Sequence, residues 1–320
     1  MESSQRNIQE ELQILINKRL VATVEQLIRF PILLYSYDGR YYKPKGTGIF
    51  LHYKEFLFIL TATHVINDRE PLFTNIGDKI VPVREFRHLR GVSDLQANRT
   101  IDIGWITLTV DFARELAQHR AHLTMDDLID HNPHDYDLSM PMYMFTGFPA
   151  SMNMKVESPD TKISFDFTAI HVAPIRNSEA VFNYLHLDRF ANMAFTLSGK
   201  APEIIRNIPK FRLPELNGMS GSAIWWLFYN PKEEELEFNY KVIGLFSDYR
   251  NGKYHCAVGS RISIVMENIE AWDKLGLFDL SPSETWKMWS VKEDNRRKFS
   301  LMKCRNLPYS GQLKWINVKS

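Results

Sequence analysis

A chain of 320 residues, 44% hydrophobic and 24% charged, has enough apolar surface for one large core or two moderate ones, which excludes disorder as its main state. A formal net charge of +1 excludes a global pull toward nucleic acid or an anionic membrane, so any polarity is local. Two cysteines, Cys256 and Cys304, are too few for a disulfide framework and fit a reducing compartment.

In chain order, the first stretch, MESSQRNIQEELQ, is polar where a secretion signal would carry a basic stub and an apolar run. No later stretch approaches the roughly 18 apolar residues that span a bilayer, so a cytoplasmic protein without membrane association is expected. Ile8, Leu12, Leu15, Ile16, Leu20, Val24, Leu27 and Ile28 recur at three- and four-residue steps, and Asn7 with Glu10 resembles a capping box. An amphipathic helix is therefore expected over 7–28, ended by Pro31. Strands follow: PILLYSY, a turn at Asp38-Gly39, YYKPKGTGIFLHY, EFLFILTA and IDIGWITLTV.

Residues 111–139 change period and polarity and read as a helical insertion with a polar loop. The strands then resume in MYMFTGFPA, KISFDFTAIHVA, NMAFTLS, SAIWWLFY, YKVIGLF and HCAVG, short segments separated by Pro, Gly, Asn and Asp. Their spacing favours an antiparallel barrel or sandwich over alternating βαβ units. A closing helix is expected over 261–275. Beyond it, 276–320 forms a basic, aromatic extension, with eight Lys or Arg against two acids in 290–320.

Three stretches carry candidate chemistry: LTATHVIND with His64, TIDIGWITL with Asp102, and NGMSGSAIWW with Ser220. Serine hydrolysis needs a nucleophile, a base within hydrogen-bond reach, and a carboxylate that orients the base. An ionised Asp102 at the start of an apolar strand is costly unless paired. Ser220 lies between Gly218 and Gly221, so the backbone can turn sharply and offer the N–H groups of Gly218 and Ser220 to a developing oxyanion. Ser222 is a rival nucleophile that lacks the flanking glycines. Ser220, Asp248 and His255 also stand in the chain order of an α/β-hydrolase, but its elbow needs glycine at Ser222, and too little chain separates Asp248 from His255.

LTATHV, DIGWITL and GMSGSA resemble the His, Asp and Ser motifs of the trypsin/chymotrypsin-like serine peptidases (PA clan), in that family's order. GTGIF (46–50), FTGFPA (145–150) and VIGLFS (242–247) resemble the strand before the catalytic histidine, a Gly-x-Pro turn of the bacterial members and the strand lining the cleft. The resemblance covers about residues 31–275 and implies an all-β, double six-stranded antiparallel β-barrel preceded by a helix (1–30). It further implies His64 as base, Asp102 as its orienting carboxylate, Ser220 as nucleophile, an oxyanion hole of the Gly218 and Ser220 amides, and no cofactor. Where secreted members hold an aspartate that pairs with a new N-terminus, this chain has Met219. A bacterial or intracellular type, without a peptide-binding PDZ module, is the closer likeness. The pocket implied comprises Leu213, Pro214, Phe246, Ser247 and Asp248; with Pro214 at its base, an apolar or uncharged residue is expected before the scissile bond.

The expected function is a serine endopeptidase processing a dedicated protein or peptide substrate, with a bacterial defence or stress role by analogy only. The alternative is a peptidase-fold binding module, silent until a protein activator remodels it. His131, His134, Asp135 and Asp137 could bind a metal, but a solvated loop explains them as well, and no metal is expected. The basic tail could contact nucleic acid, which is not expected, since its aromatics can pack while its charges stay in water.

Overall fold

The computed structural model describes residues 2–66, 70–89, 101–133, 142–153, 155–160, 166–175, 178–197, 215–229, 238–251 and 253–274. The first helix, α1 (Glu2–Leu27), begins earlier than its capping box suggests, because Glu2–Arg6 contains no helix breaker. Pro31 then opens β1 (Pro31–Tyr37), followed by β2 (Tyr42–Tyr53), β3 (Phe56–Thr61) and a single helical turn, α2 (Thr63–Ile66). β4 (Phe73–Ile76), β5 (Lys79–Pro82), β6 (Glu85–Leu89) and β7 (Gly104–Leu108) complete one sheet. Its strand order is β5-β4-β1-β2-β3-β7-β6.

The insertion carries α3 (Val110–Ala117) and a 3-10 turn at Met125–Asp127. A second module holds β8 (Met142–Gly147), β9 (Thr168–Pro174), α4 (Ser178–Leu185), β10 (Asn192–Leu197), β11 (Ala223–Tyr229), β12 (Phe238–Arg250) and β13 (Cys256–Arg261). These six strands close into an antiparallel barrel in the order β10-β13-β12-β11-β8-β9, sealed by β9 against β10. The chain is described as far as α5 (Ser263–Lys274). The expected extension 276–320 lies outside the described residues.

One expectation is corrected. The first module is an open seven-stranded sheet rather than a second six-stranded barrel. Its edge strand β5 is short and ends on Pro82, which has no N–H to offer another strand. A loop takes the place of closure there, with the Ile80 N–H donating to Pro159 O at 3.1 Å. Antiparallel pairing throughout both sheets also removes the α/β-hydrolase reading, which needs a parallel sheet.

Three of the clusters of buried side chains define this layout. Phe50, Ile59, Ile106 and Phe112 fill the first module, and Tyr143, Phe145, Phe195 and Phe246 fill the barrel. A third cluster joins the two: Leu51, Phe58 and Leu60 of the sheet meet Trp225, Val242 and Leu245 of the barrel, with Leu20 and Leu27 of α1 packed among them. The helix is thus part of the seam between the modules.

Candidate active site

β3 pairs with β7 so that Thr61 faces Gly104. Continuing one to three residues beyond that pair along each strand brings α2 alongside the segment entering β7. Thr63 Oγ1 donates to Ile103 O at 2.8 Å, and the two Asp102 carboxylate oxygens take the His64 main-chain N–H at 3.1 Å and the His64 ring nitrogen Nδ1 at 2.5 Å. With a carboxylate as acceptor, Nδ1 carries the hydrogen and Nε2 presents its lone pair. Asp102 lies just ahead of β7 rather than within a strand, a place where its carboxylate can turn to the histidine.

Partial desolvation of the half-exposed His64 ring opposes its protonation. The hydrogen bond and charge of Asp102, with Asp248 beyond, outweigh that desolvation and the nearby positive charge of Lys45, so the imidazole pKa lies above its ordinary value.

Ser220 stands on the turn that enters β11. Gly218 and Gly221 adopt φ of +85° and +88°, the left-handed region. A Cβ at Gly221 would lie 2.1 Å from Thr47 O, and one at Gly218 would lie 2.7 Å from Ala150 N, so neither position admits a side chain. Each carbonyl around the turn has a donor. The Ala150 N–H reaches Asn217 O at 2.6 Å, Thr47 Oγ1 reaches Gly218 O at 3.0 Å, the Ser222 N–H reaches Met219 O at 2.8 Å, and the Thr47 N–H reaches Ser220 O at 2.8 Å.

In a planar trans peptide the N–H points opposite its C=O, so these bonds also fix the amides. The Met219 N–H is taken by Leu216 O and the Gly221 N–H by Phe246 O. Among the described residues, neither the Gly218 N–H nor the Ser220 N–H has a main-chain acceptor. Met219 itself is buried in the barrel core and held there by apolar packing.

A chain of contacts links the two halves. Ser220 Oγ donates to Ser247 O at 3.1 Å, Ser247 Oγ lies 3.3 Å from Ser260 Oγ, and Ser260 Oγ accepts the Asp102 N–H at 3.0 Å. Ser247 is the extra residue of a bulge in β12: Phe246 faces Gly259 and Asp248 faces Val258. Such a bulge re-aims a carbonyl that a regular ladder would direct at the neighbouring strand. Among the described residues, no hydrogen bond joins Ser220 Oγ to the His64 ring; the hydroxyl is turned to Ser247 instead. Ser260 was not singled out from sequence, and Thr47 and Ala150 only as members of the GTGIF and FTGFPA motifs. Those motifs were the local signals, since Thr47 and Ser260 act on residues 171 and 158 positions away.

The remaining candidates separate. Phe246 is buried against Phe145 in the barrel core, Ser247 is buried at the bulge, and Asp248 is exposed and paired with Arg250 at 3.1 Å. Leu213 and Pro214 lie outside the described residues. Ser222 is fully buried, its hydroxyl 3.9 Å from Met219 Sδ, and His255 bonds Asn251 rather than Asp248. His131 is buried, stacked on Trp226 at 4.2 Å between centroids and bonded through Nε2 to the Tyr143 hydroxyl at 2.9 Å, so it anchors the insertion to the barrel. His134, Asp135 and Asp137 lie outside the described residues. No described helix is long and apolar enough to cross a membrane.

No family model matches this chain, and no curated protein matches it. Among solved structures it is similar to the crystal structure of the scabies mite inactivated protease paralogue S-I1, at 12% identity and a TM-score of 0.46, over 78% of this chain and 97% of that one. So loose a likeness carries no argument about chemistry.

Proposed function

We propose that the chain is a serine endopeptidase of the trypsin-like type, in which His64, Asp102 and Ser220 act as base, orienting carboxylate and nucleophile. The observation that carries this reading is the Asp102 carboxylate, which grips both the ring and the backbone N–H of His64 and leaves Nε2 available. Beside it stands a serine turn with two unclaimed amides.

A rotation about the Ser220 Cα–Cβ bond moves Oγ from Ser247 O toward Nε2. The Ser220 oxygen then attacks the substrate carbonyl carbon as its proton passes to His64, and the carbonyl oxygen takes the charge facing the Gly218 and Ser220 amides. Collapse of the tetrahedral species breaks the C–N bond, with His64 returning the proton to the leaving amine. Water, deprotonated by His64, then releases the acyl group from Ser220. An apolar or uncharged residue before the scissile bond remains the proposed preference, since Asp248 is already paired with Arg250.

The resting hydroxyl, bonded to Ser247 rather than to His64, favours a second reading in which an activating protein must first turn Ser220. A fluorophosphonate probe separates the two. Labelling of the wild type, lost in Ser220→Ala, supports the peptidase. Absence of labelling in the isolated chain, appearing only with a partner, supports the gated form, and labelling that survives Ser220→Ala sinks both.

A further inference from the structure

α1 carries two apolar faces. Leu20, Thr23 and Leu27 are at most 6% exposed, and Leu20 and Leu27 form part of the seam cluster. One residue step round the axis, about 100° away, a second row faces solvent: Ile14 is 66% exposed, Val21 46% and Ile28, just past the end of α1 and still bonded through its N–H to Val24 O, 41%. Seven-residue intervals hold these three in one stripe. Lys18 and Glu25 occupy the positions between them, both exposed, with Ala22 exposed beside Val21.

The order within this stripe is apolar, basic, apolar, acidic, apolar, and it is self-complementary when reversed. We propose that this face of α1 binds a second copy of the chain, antiparallel, about a two-fold axis passing near Val21 and Ala22. Ile14 then meets the partner's Ile28 and Lys18 meets the partner's Glu25, each contact occurring twice by symmetry, while Val21 meets the partner's Val21 once, at the axis. The small Ala22 at the centre lets the two backbones approach. A parallel pairing would set Lys18 against the partner's Lys18 and Glu25 against the partner's Glu25, so the charges select the antiparallel arrangement. The proposal is independent of the peptidase reading.

From Ile14 to Ile28 the helix rises roughly 21 Å, a contact at the small end of stable interfaces, so a dissociation constant of about 1–100 μM is expected. Sedimentation velocity of the full chain from about 1 to 300 μM, a range spanning that estimate, reads it directly, with circular dichroism as the folding control. Wild type dimerises with concentration, and Val21→Glu stays monomeric while retaining its fold. Lys18→Glu weakens the dimer about fivefold or more, and adding Glu25→Lys to it restores wild-type association. In a mixture of Ile14→Cys and Ile28→Cys chains, oxidation yields the mixed cross-link in preference to either self-link, against wild type as the control for Cys256 and Cys304. A monomer throughout the range, a dimer indifferent to Val21→Glu or to Lys18→Glu, or self-linked products in excess each overturn the proposal.

Discussion

His64, the base of the proposed reaction, has its protonation weighted by its neighbours. Asp102 and Asp248 favour the imidazolium, so the pKa is raised, and the neutral form that would accept the Ser220 proton predominates at a higher pH than for an ordinary histidine. Activity is therefore expected to rise with pH through that elevated value. Neutralising Asp248 removes one of the charges holding the proton, so Asp248→Asn should move the acid limb of the kcat/KM profile to lower pH. A limb that moves upward or stays in place contradicts that assignment. Thr47 acts by position: its hydroxyl donates to Gly218 O and accepts the Phe148 N–H at 3.1 Å. Thr47→Val should lower kcat about 10- to 100-fold with little change in KM, as expected when a stabiliser of the oxyanion turn is lost, and Thr47→Ser should recover most of it. A fall in melting temperature with kcat unchanged would make Thr47 merely structural.

At the scale of elements, β11 shows why some segments were legible and others were not. SAIWWLFY is apolar, aromatic and bounded by glycine and asparagine, and the strand runs from Ala223 to Tyr229. Trp225 within it is fully buried and donates through Nε1 to Thr146 Oγ1 at 2.6 Å. Its ring also lies 5.5 Å from those of Phe30 and Tyr240. Trp225→Ala should cost about 3–5 kcal/mol in urea unfolding, and a loss below about 1 kcal/mol would mean that the seam repacks around the vacancy. The β4 and β5 strands, four residues each, are too short for a period to register, and their hairpin was not read although Gly77 marks its turn. α4 was missed likewise: at eight residues, between strands, SEAVFNYL offers little more than two turns of pattern.

Across the whole molecule, the seam cluster makes α1, the sheet and the barrel interdependent. Leu27 is fully buried there, between strands of both modules. Leu27→Ala should therefore destabilise the entire protein by about 2–5 kcal/mol and lower the melting of both modules together, seen as a single calorimetric transition. Two separated transitions, only one of them shifted, would show that the helix serves one module alone. α5 ties the modules at another point, with Asp273 bonded to Lys54 Nζ at 2.7 Å and to the Tyr53 hydroxyl at 3.1 Å, an exposed contact that guides docking more than it stabilises.

Local pattern alone was sufficient for the longer helices and strands, for the β-rich class, and for pointing to His64 and Asp102, which the structure joins, and to Ser220 on its glycine-flanked turn. Each of these has its signal within a few neighbouring residues: an alternation, a glycine, a carboxylate leading an apolar strand. Tertiary structure decided that the first sheet stays open, that a bulge turns the Ser247 carbonyl onto Ser220, and that Thr47 and Ala150 orient the amides of the serine turn. It also decided which face of α1 is buried and which faces solvent. Those outcomes depend on groups far apart in the chain, where a hydrogen bond or a packed side chain leaves no period in the local sequence.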